Sequence, residues 1–375
     1  MGTRKRIGIL TSGGDCPGLN VVIRAVINHA TLTYDWEVVG IPYATQGLLE
    51  RKAISLSRHG LDLRGIDPLL SMGGTILGSI NKGDTLAHAD EILASYAALE
   101  LDALIGIGGD GSLAILSQLA HRGNWQFIGI PKTIDNDVAC TERVIGFDTA
   151  VNTITDAINR LTFTAASHDR VMVVEVMGRK VGHLALHSGI AGGADVILIP
   201  EVPYSIHDIC SHLDELRDRW GRRFAIVIVA EGIHTLDDDL CSGIGAPNGT
   251  VSCGMGQYIA NQIAAQSTIP LDIRVSVLGH IQRGGIPSAL DRLAATVFGK
   301  TAVDLVAQGQ THQMVAWQGG GAIAVPLEQV LKLSPIAVDP NSQLVDAAQA
   351  MGIYIGKHAH DVANSSSVGS VPSLV

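Results

Sequence analysis

The chain has 375 residues, a formal net charge of −10, 46% hydrophobic residues and only 4% aromatic ones. That length exceeds one ordinary core and fits two α/β domains; the acidic balance argues against a general polyanion binder and the few aromatics against a stacking platform, so no nucleic-acid partner is expected. No apolar run approaches the ~20 residues that span a bilayer, the longest, Phe224 to Ala230, being strand length, so no membrane partner is expected either.

In chain order, Met1 to Arg6 is basic but only four apolar residues follow, which argues against a signal peptide. Those residues, Ile7-Gly8-Ile9-Leu10, predict a short buried strand leading into Thr11-Ser12-Gly13-Gly14-Asp15-Cys16-Pro17-Gly18-Leu19-Asn20 and then an apolar-periodic helix through about Ala30. Strand, glycine turn and helix together present bare backbone N–H groups and a helix N-terminus to an anion. A second unit of the same kind follows: strand Ala103-Leu104-Ile105-Gly106-Ile107, loop Gly108-Gly109-Asp110-Gly111-Ser112, and a helical pattern through Leu116. A carboxylate among three glycines is a poor phosphate ligand and a good ligand for the Mg²⁺ that accompanies a nucleotide, since Mg²⁺ takes one or two protein carboxylates plus phosphate oxygens and waters. Neither loop is a P-loop or a dinucleotide fingerprint.

The apolar strand Phe127-Ile128-Gly129-Ile130 then runs into Pro131-Lys132-Thr133-Ile134-Asp135-Asn136-Asp137. An extended chain there would point Thr133, Asp135 and Asp137 to one face, where two carboxylates and a hydroxyl share a small space. Such a cluster calls for a metal, a cation or a shared proton, whereas an isolated Asp-Asn-Asp would read as a solvated turn. The second half supplies positive charge: Arg170 before the strand Val171 to Val176, Arg179 after it, then Arg274, His280 and Arg283. Arginines at strand ends beside glycine suit bidentate phosphate or carboxylate binding, although any one alone is more often an ion-pair or surface residue. Repeated strand, turn and helix units imply largely parallel sheets with helices on both faces. Residues 361 to 375 read as a disordered tail. Five cysteines (16, 140, 210, 241 and 253), an odd number without a C-x-x-C pair, point to reduced thiols in a cytoplasm.

Taken together, Thr11-Ser12-Gly13-Gly14-Asp15, Gly73-Gly74-Thr75-Ile76-Leu77-Gly78-Ser79, Gly108-Gly109-Asp110-Gly111-Ser112, Thr133-Ile134-Asp135-Asn136-Asp137, Glu175-Val176-Met177-Gly178-Arg179, Glu231-Gly232 and Leu278-Gly279-His280-Ile281-Gln282-Arg283-Gly284-Gly285 resemble the prokaryotic-type 6-phosphofructokinase family, in its order and over roughly residues 7 to 310. The resemblance implies two Rossmann-like three-layer α/β/α domains with mostly parallel sheets and an active site in the interdomain cleft. It implies a phosphoryl-donor domain of residues 1–146 plus about 281–330, and a fructose 6-phosphate domain of 147–280 plus about 331–360. Asp135 would be the base for the C1 hydroxyl, with Thr133, Lys132 and Arg179 as the other catalytic residues. Fructose 6-phosphate would meet Thr133, Asp135, Asp137, Met177, Gly178, Arg179, Glu231, His280 and Arg283, with Arg170 and Arg274 arriving from a neighbouring subunit of a homo-oligomer, a tetramer by resemblance. ATP would meet Gly13, Gly14, Lys82, Gly109, Asp110, Gly111 and Ser112, with Asp110 as the Mg²⁺ ligand.

Two departures bear on the donor. Many bacterial relatives carry Arg where this chain has Asn81 in Ile80-Asn81-Lys82, so Lys82 or Lys132 is left to supply that charge. Lys132 itself resembles the pyrophosphate-using relatives, whereas Gly111 resembles the ATP users, because a side chain there would obstruct the nucleotide's α-phosphate. ATP is the favoured donor on this reading and pyrophosphate the alternative. Arg24, Arg222 and Arg223 stand where relatives hold phosphate-bearing effectors, but Asn28, Thr162 and Phe224 replace other basic residues there, which implies a changed effector response. A nicotinamide dehydrogenase is disfavoured by the missing G-x-G-x-x-G. A non-catalytic paralogue is disfavoured by the presence of Asp110, Asp135 and Asp137 together.

Overall fold

The computed structural model describes residues 4–57, 67–79, 85–234 and 254–356. Lys82 and Asn81, Cys241 and Cys253, and the expected tail at 361 to 375 therefore lie outside the described residues. In chain order the regular elements are β1 (Arg6–Thr11), α1 (Leu19–Tyr34), β2 (Glu37–Gly40), α2 (Thr45–Leu49), β3 (Ile54–Leu56), α3 (Ala89–Ala98), β4 (Ala103–Gly108), α4 (Asp110–Gly123), β5 (Phe127–Pro131) and α5 (Phe147–Ser167). They continue with β6 (Arg170–Val176), α6 (His183–Gly192), β7 (Val196–Leu198), α7 (Ile206–Trp220), β8 (Ala225–Ala230), α8 (Met255–Gln266) and β9 (Asp272–Val277). The chain closes with α9 (Ala289–Ala307), β10 (Gln313–Gln318), β11 (Gly321–Pro326), α10 (Leu327–Leu333) and α11 (Gln343–Ala350).

The chain divides into two units. The first comprises Met1–Ala150 and His280–Ile336, the second Val151–Gly279 and Ala337–Val375. In the first, seven strands run β11-β10-β5-β4-β1-β2-β3, parallel except for the edge strands β3 and β11. Strands β4 and β5 are buried along their whole length, as a parallel sheet covered on both faces requires, and this is why they read as unbroken apolar runs. The core holds Leu10, Leu104, Leu113, Leu116, Phe127 and Met314, all at most 1% exposed. Strand β1 lies between β2 and β4, so the winding reverses direction between β1 and β4. In such sheets the ligand crevice opens outside the carboxyl ends of the two strands at the reversal. In the second unit four parallel strands run β7-β8-β6-β9, with β9 forming an exposed edge.

Two helices exceed the lengths predicted from periodicity. Helix α1 runs to Tyr34 instead of about Ala30, and α4 to Gly123 instead of Leu116. Each stops at a left-handed residue, Asp35 (φ 53°) and Asn124 (φ 50°), whose N–H returns to the last turn. Asp and Asn accept that conformation more readily than other non-glycine residues, so the stop signals were polar residues and not the end of the apolar pattern.

Candidate active site

The end of β1 and the end of β4 meet at the reversal of the sheet, and the Ser12 N–H donates to Ile107 O at 2.9 Å. Thr11 Oγ1 bonds Thr75 Oγ1 at 3.0 Å and donates to Gly78 O at 2.8 Å, fixing the Gly73 to Ser79 stretch beside β1. Ser79 Oγ in turn donates to Gly13 O. Gly13 has φ +84°, and a Cβ there would stand 2.9 Å from Ser112 Oγ and 3.3 Å from Lys132 Nζ, so both its conformation and its crowding require glycine. Helix α4 begins at Asp110 with no side-chain cap, which leaves its first amides and the positive end of its dipole available to an anion.

These segments enclose a cavity of about 380 Å³ within the first unit. Its walls are Ser12, Gly13 and Gly14 after β1; Gly109, Asp110, Gly111 and Ser112 at the start of α4; Lys132, Thr133, Asp135 and Asp137 after β5; and Arg283. A Cβ on Gly111 would touch nothing within 4 Å, so this position faces open space. The 133–137 segment does not run extended as expected. Asn136 is left-handed (φ 53°) and the Asp135 N–H donates to Thr133 Oγ1 at 3.0 Å, a local hydroxyl turn. Ile134 and Val138 are buried on one side of that turn while Thr133, Asp135 and Asp137 still line the cavity. The turn therefore brings the three polar groups together by a different geometry from strand alternation.

Lys132 is only 4% exposed. Its N–H donates to Gly108 O at 3.0 Å and its ammonium donates to Gly14 O. Burial, the largest influence, pushes its pKa below the usual lysine range and Arg283 adds to that, while Cys16, Asp15 and Asp135 oppose it. Arg283 donates from Nη1 to Asp15 O at 3.2 Å. Cys16 is fully buried, donates to Ile145 O at 3.3 Å, and its thiol is pushed up to about 12 by burial, so it is inert. No group of three His, Cys, Asp or Glu side chains suited to a metal occurs among the described residues.

In the second unit, Met177, Gly178 and Arg179 follow β6, and Glu231 and Gly232 follow the adjacent parallel strand β8. The Glu231 N–H donates to Val176 O at 2.9 Å, and a Cβ on Gly232 would lie 2.2 Å from Arg179 O, so the two turns pack backbone to backbone. Arg179 is exposed. Arg170 and Arg274 are not with them: both pair with Asp272, at 2.7 and 2.9 Å, Arg170 at the opposite end of β6 and Arg274 opposite Met172. At roughly 3.3 Å per residue, Arg170 stands roughly 20 Å and Arg274 roughly 15 Å along the strand from the turn that carries Arg179. His280 is exposed and does not line the cavity. Arg24 is paired with Asp67, Arg222 with Asp195 at 2.8 Å, and Arg223 with Asp169 at 3.7 Å, so the three basic residues expected at an effector site each face a carboxylate of their own unit.

Four cavity residues escaped the sequence reading: Thr45, Thr85, Ile115 and Leu116. The last two stand one helical turn beyond Gly111 and Ser112, a spacing that could have exposed them. Thr45 and Thr85 carry no such signal; their hydroxyls meet at 3.2 Å across 40 residues of chain.

The chain is similar to known proteins over most of its length. The phosphofructokinase family profile matches residues 6–306. The chain is 72% identical over 354 residues to ATP-dependent 6-phosphofructokinase 2 of Nostoc sp., covering 94% of this chain and 99% of the relative. It is 64% identical to the ATP-dependent 6-phosphofructokinase of Thermosynechococcus vestitus, covering 94% of each. Among solved structures, phosphofructokinase from Saccharomyces cerevisiae aligns with a TM-score of 0.71 at 31% identity over 88% of this chain, which spans 45% of the yeast chain. A pyrophosphate-dependent phosphofructokinase from Nitrosospira multiformis aligns with a TM-score of 0.78 at 21% identity over 94% of this chain and 93% of that one, a likeness of fold.

Proposed function

The chain belongs to the phosphofructokinase family, and from that premise we propose that it transfers the terminal phosphoryl group of ATP to the C1 hydroxyl of fructose 6-phosphate, giving fructose 1,6-bisphosphate and ADP. The observation that carries the reading is the convergence in one cavity of Gly13 and Gly14, the uncapped start of α4, the buried Lys132, and the carboxylates of Asp110, Asp135 and Asp137. Phosphoryl transfer asks a protein for positioning, charge neutralisation and a base for the attacking hydroxyl.

Asp135 takes the proton from the C1 hydroxyl, and Thr133 and Asp137 orient that hydroxyl. The amides of Gly13, Gly14 and Gly109 to Ser112 bind donor phosphates, and the open space at Gly111 admits the α-phosphate and nucleoside. Lys132, held against Gly14 O, places a positive charge beside the transferring group. Asp110 would hold a Mg²⁺ brought with ATP. The donor set fits that role and not a resident all-protein site, because one carboxylate, Asp110, with substrate phosphates is the usual magnesium arrangement. When bound, the ion neutralises phosphate charge.

Met177, Gly178, Arg179, Glu231, His280 and Arg283 hold the sugar phosphate. Arg170 and Arg274, at the far end of β6 from Arg179, serve the site of a second copy, which makes the working unit an oligomer, a tetramer by family resemblance, in the cytoplasm. The test is a coupled assay for fructose 1,6-bisphosphate with ATP and pyrophosphate supplied separately. Turnover with ATP is expected; turnover with pyrophosphate alone would make Lys132 and not Gly111 the decisive residue for the donor.

A further inference from the structure

Asp291 is 1% exposed and has no place in the reaction described above. It is the third residue of α9, behind Ser288, whose Oγ accepts from the Asp291 N–H at 3.2 Å. Ser-x-x-acid at a helix start ordinarily forms a closed box, the acid turning back to the N–H of the capping residue. Here the Ser288 N–H is occupied by Thr149 Oγ1 at 2.9 Å, and the carboxylate is aimed elsewhere. Its Oδ1 accepts from the Gly146 N–H at 3.0 Å, and its Oδ2 accepts from the Thr149 N–H at 2.9 Å and from Thr149 Oγ1. The buried charge thus faces the N-termini of two helices, α5 and α9.

Gly146 is the next residue after Ile145, and Ile145 is the clamp on the catalytic segment. The Ile145 N–H donates to Pro131 O at 3.2 Å, and its carbonyl accepts from the Thr133 N–H at 3.2 Å and from Cys16 Sγ at 3.3 Å, so residue 145 bridges alongside Lys132. Gly146 itself is left-handed (φ +102°) and crowded, since a Cβ would stand 2.5 Å from Cys16 Sγ. A segment so placed has no freedom to shift without moving residues 132 and 133.

We propose that Asp291 is a positioning residue for the reaction: through Gly146 and Ile145 it holds Lys132 and Thr133 in register with the donor loops. The inference rests on the reading that residues 132 and 133 act on the transferring group. Burial pushes the Asp291 carboxyl above the usual carboxylate range, with the Thr149 and Gly146 donors opposing. The ionised form therefore costs stability, and Asp291→Asn relieves that cost while breaking the acceptor pair.

The test compares Asp291→Asn with Asp304→Asn, a control on the same helix that also accepts three hydrogen bonds, from His29, Tyr34 and Lys300, but touches nothing in the cavity. In the oligomeric protein, Asp291→Asn should lower kcat at least tenfold with both KM values within threefold, and Asp304→Asn should leave kcat unchanged. With Lys132→Met added, the combined loss should be smaller than the product of the single losses, as coupled residues require. Equal kcat in the two aspartate variants, or losses that multiply in full, would overturn the proposal. If Asp291→Asn does not fold, Thr149→Val decides by the same criteria, with Thr149→Ser expected to retain more kcat. Amide exchange at Thr133 and Ile145, faster in Asp291→Asn and unchanged in Asp304→Asn, reads the holding without activity. A failure of the unsubstituted protein to form fructose 1,6-bisphosphate would sink the functional reading alone, and unaltered exchange in Asp291→Asn would sink this one.

Discussion

The two sets of cations assigned to phosphates differ in how firmly they are held. Lys132 is buried, hydrogen-bonded to Gly14 O, and fixed at its backbone by Gly108 and Ile145. Arg179, by contrast, is exposed, and Arg274 keeps 58% of its side chain in solvent while paired with Asp272. A buried lysine costs stability where burial outweighs the nearby carboxylates, as at Lys132, since burial disfavours its charge. An exposed arginine costs nothing and gains little. The contrast fits the proposed reaction, whose transfer end must be organised before substrate arrives, as electrostatic stabilisation of a transition state requires; Arg283, held by Asp15 O in the same cavity, sides with Lys132, and Arg179 does not.

The sharpest way to break this comparison is to remove the base while leaving the binding groups. Asp135→Asn should lose about 10²- to 10⁴-fold in kcat with fructose 6-phosphate binding retained, measured by titration and by turnover. Near-normal turnover in the purified variant would remove Asp135 from the mechanism.

Next comes the preorganised cation itself. Lys132→Met should depress kcat by roughly tenfold or more while changing the fructose 6-phosphate KM little, because a contact made mainly in the transition state registers in kcat. The sign of its pH dependence follows from its lowered pKa. The activity that depends on the ammonium is present below that value and is lost as pH rises through it, at a lower pH than an ordinary lysine, 10.5, would give. Stability runs the other way: between the folded and unfolded values the unfolded chain binds more protons, so stability attributable to Lys132 rises with pH. An alkaline limb of kcat below 10.5 that vanishes in Lys132→Met is the expected profile; an unchanged limb would assign it to another group.

The exposed arginines can be examined by mixing subunits. On the proposed roles, an Arg274→Ala chain and an Asp135→Asn chain should each be impaired, yet a mixed oligomer would contain one site with both residues intact. Partial recovery after verified subunit exchange is expected, and none would argue that Arg274 serves its own chain or no site at all.

A smaller effect concerns the donor. Gly111→Asp should fold normally, because nothing lies within 4 Å of its Cβ position, and an acid in the first turn of a helix is favourable. Its bulk and charge beside Asp110 should raise the ATP KM roughly tenfold, equivalent to about 1.4 kcal/mol. The effect on pyrophosphate, which has no nucleoside, should be weaker. Equal losses for both donors would mean that charge and not space is what Gly111 provides.

The smallest effect belongs to the scaffold. Burial tends to raise the pKa of Asp304, but donors from Lys300, His29 and Tyr34 together hold it below the usual carboxylate range. Its contribution is present above the unfolded value, about 3.9, and is lost as pH falls through the lower folded value. Asp304→Asn should cost about 1 kcal/mol, or roughly 2–4 °C in Tm for a unit of this size, and the difference should close in acid.

Much of the site was legible because its residues are local in sequence. Glycine after an apolar strand reads directly as a phosphate loop, and Gly13, Gly14 and Gly109 to Ser112 do line one cavity. The 133–137 segment was legible in composition but not in conformation, since a hydroxyl bonding a nearby N–H competes with extension and no periodicity records that competition. Thr45 and Thr85 were illegible, because their meeting depends on two loops being carried to the same place by separate strands. The same holds for Asp291. Sequence spacing assigns it to its own helix cap, and only the packing of α9 beside Thr149 diverts the carboxylate to Gly146.

By itself the sequence determined the α/β class, the buried parallel strands, the family, and the chemical character of each loop, because burial and glycine geometry act within a few residues along the chain. The tertiary structure alone decided which loops share a cavity, that Lys132 is buried with its charge turned to Gly14, that Arg170 and Arg274 sit away from Arg179, and that a carboxylate 145 residues distant accepts from the Gly146 N–H beside Ile145. Those outcomes depend on strand order and helix packing, which bring together groups remote along the chain, and no local pattern of residues encodes such contacts one by one.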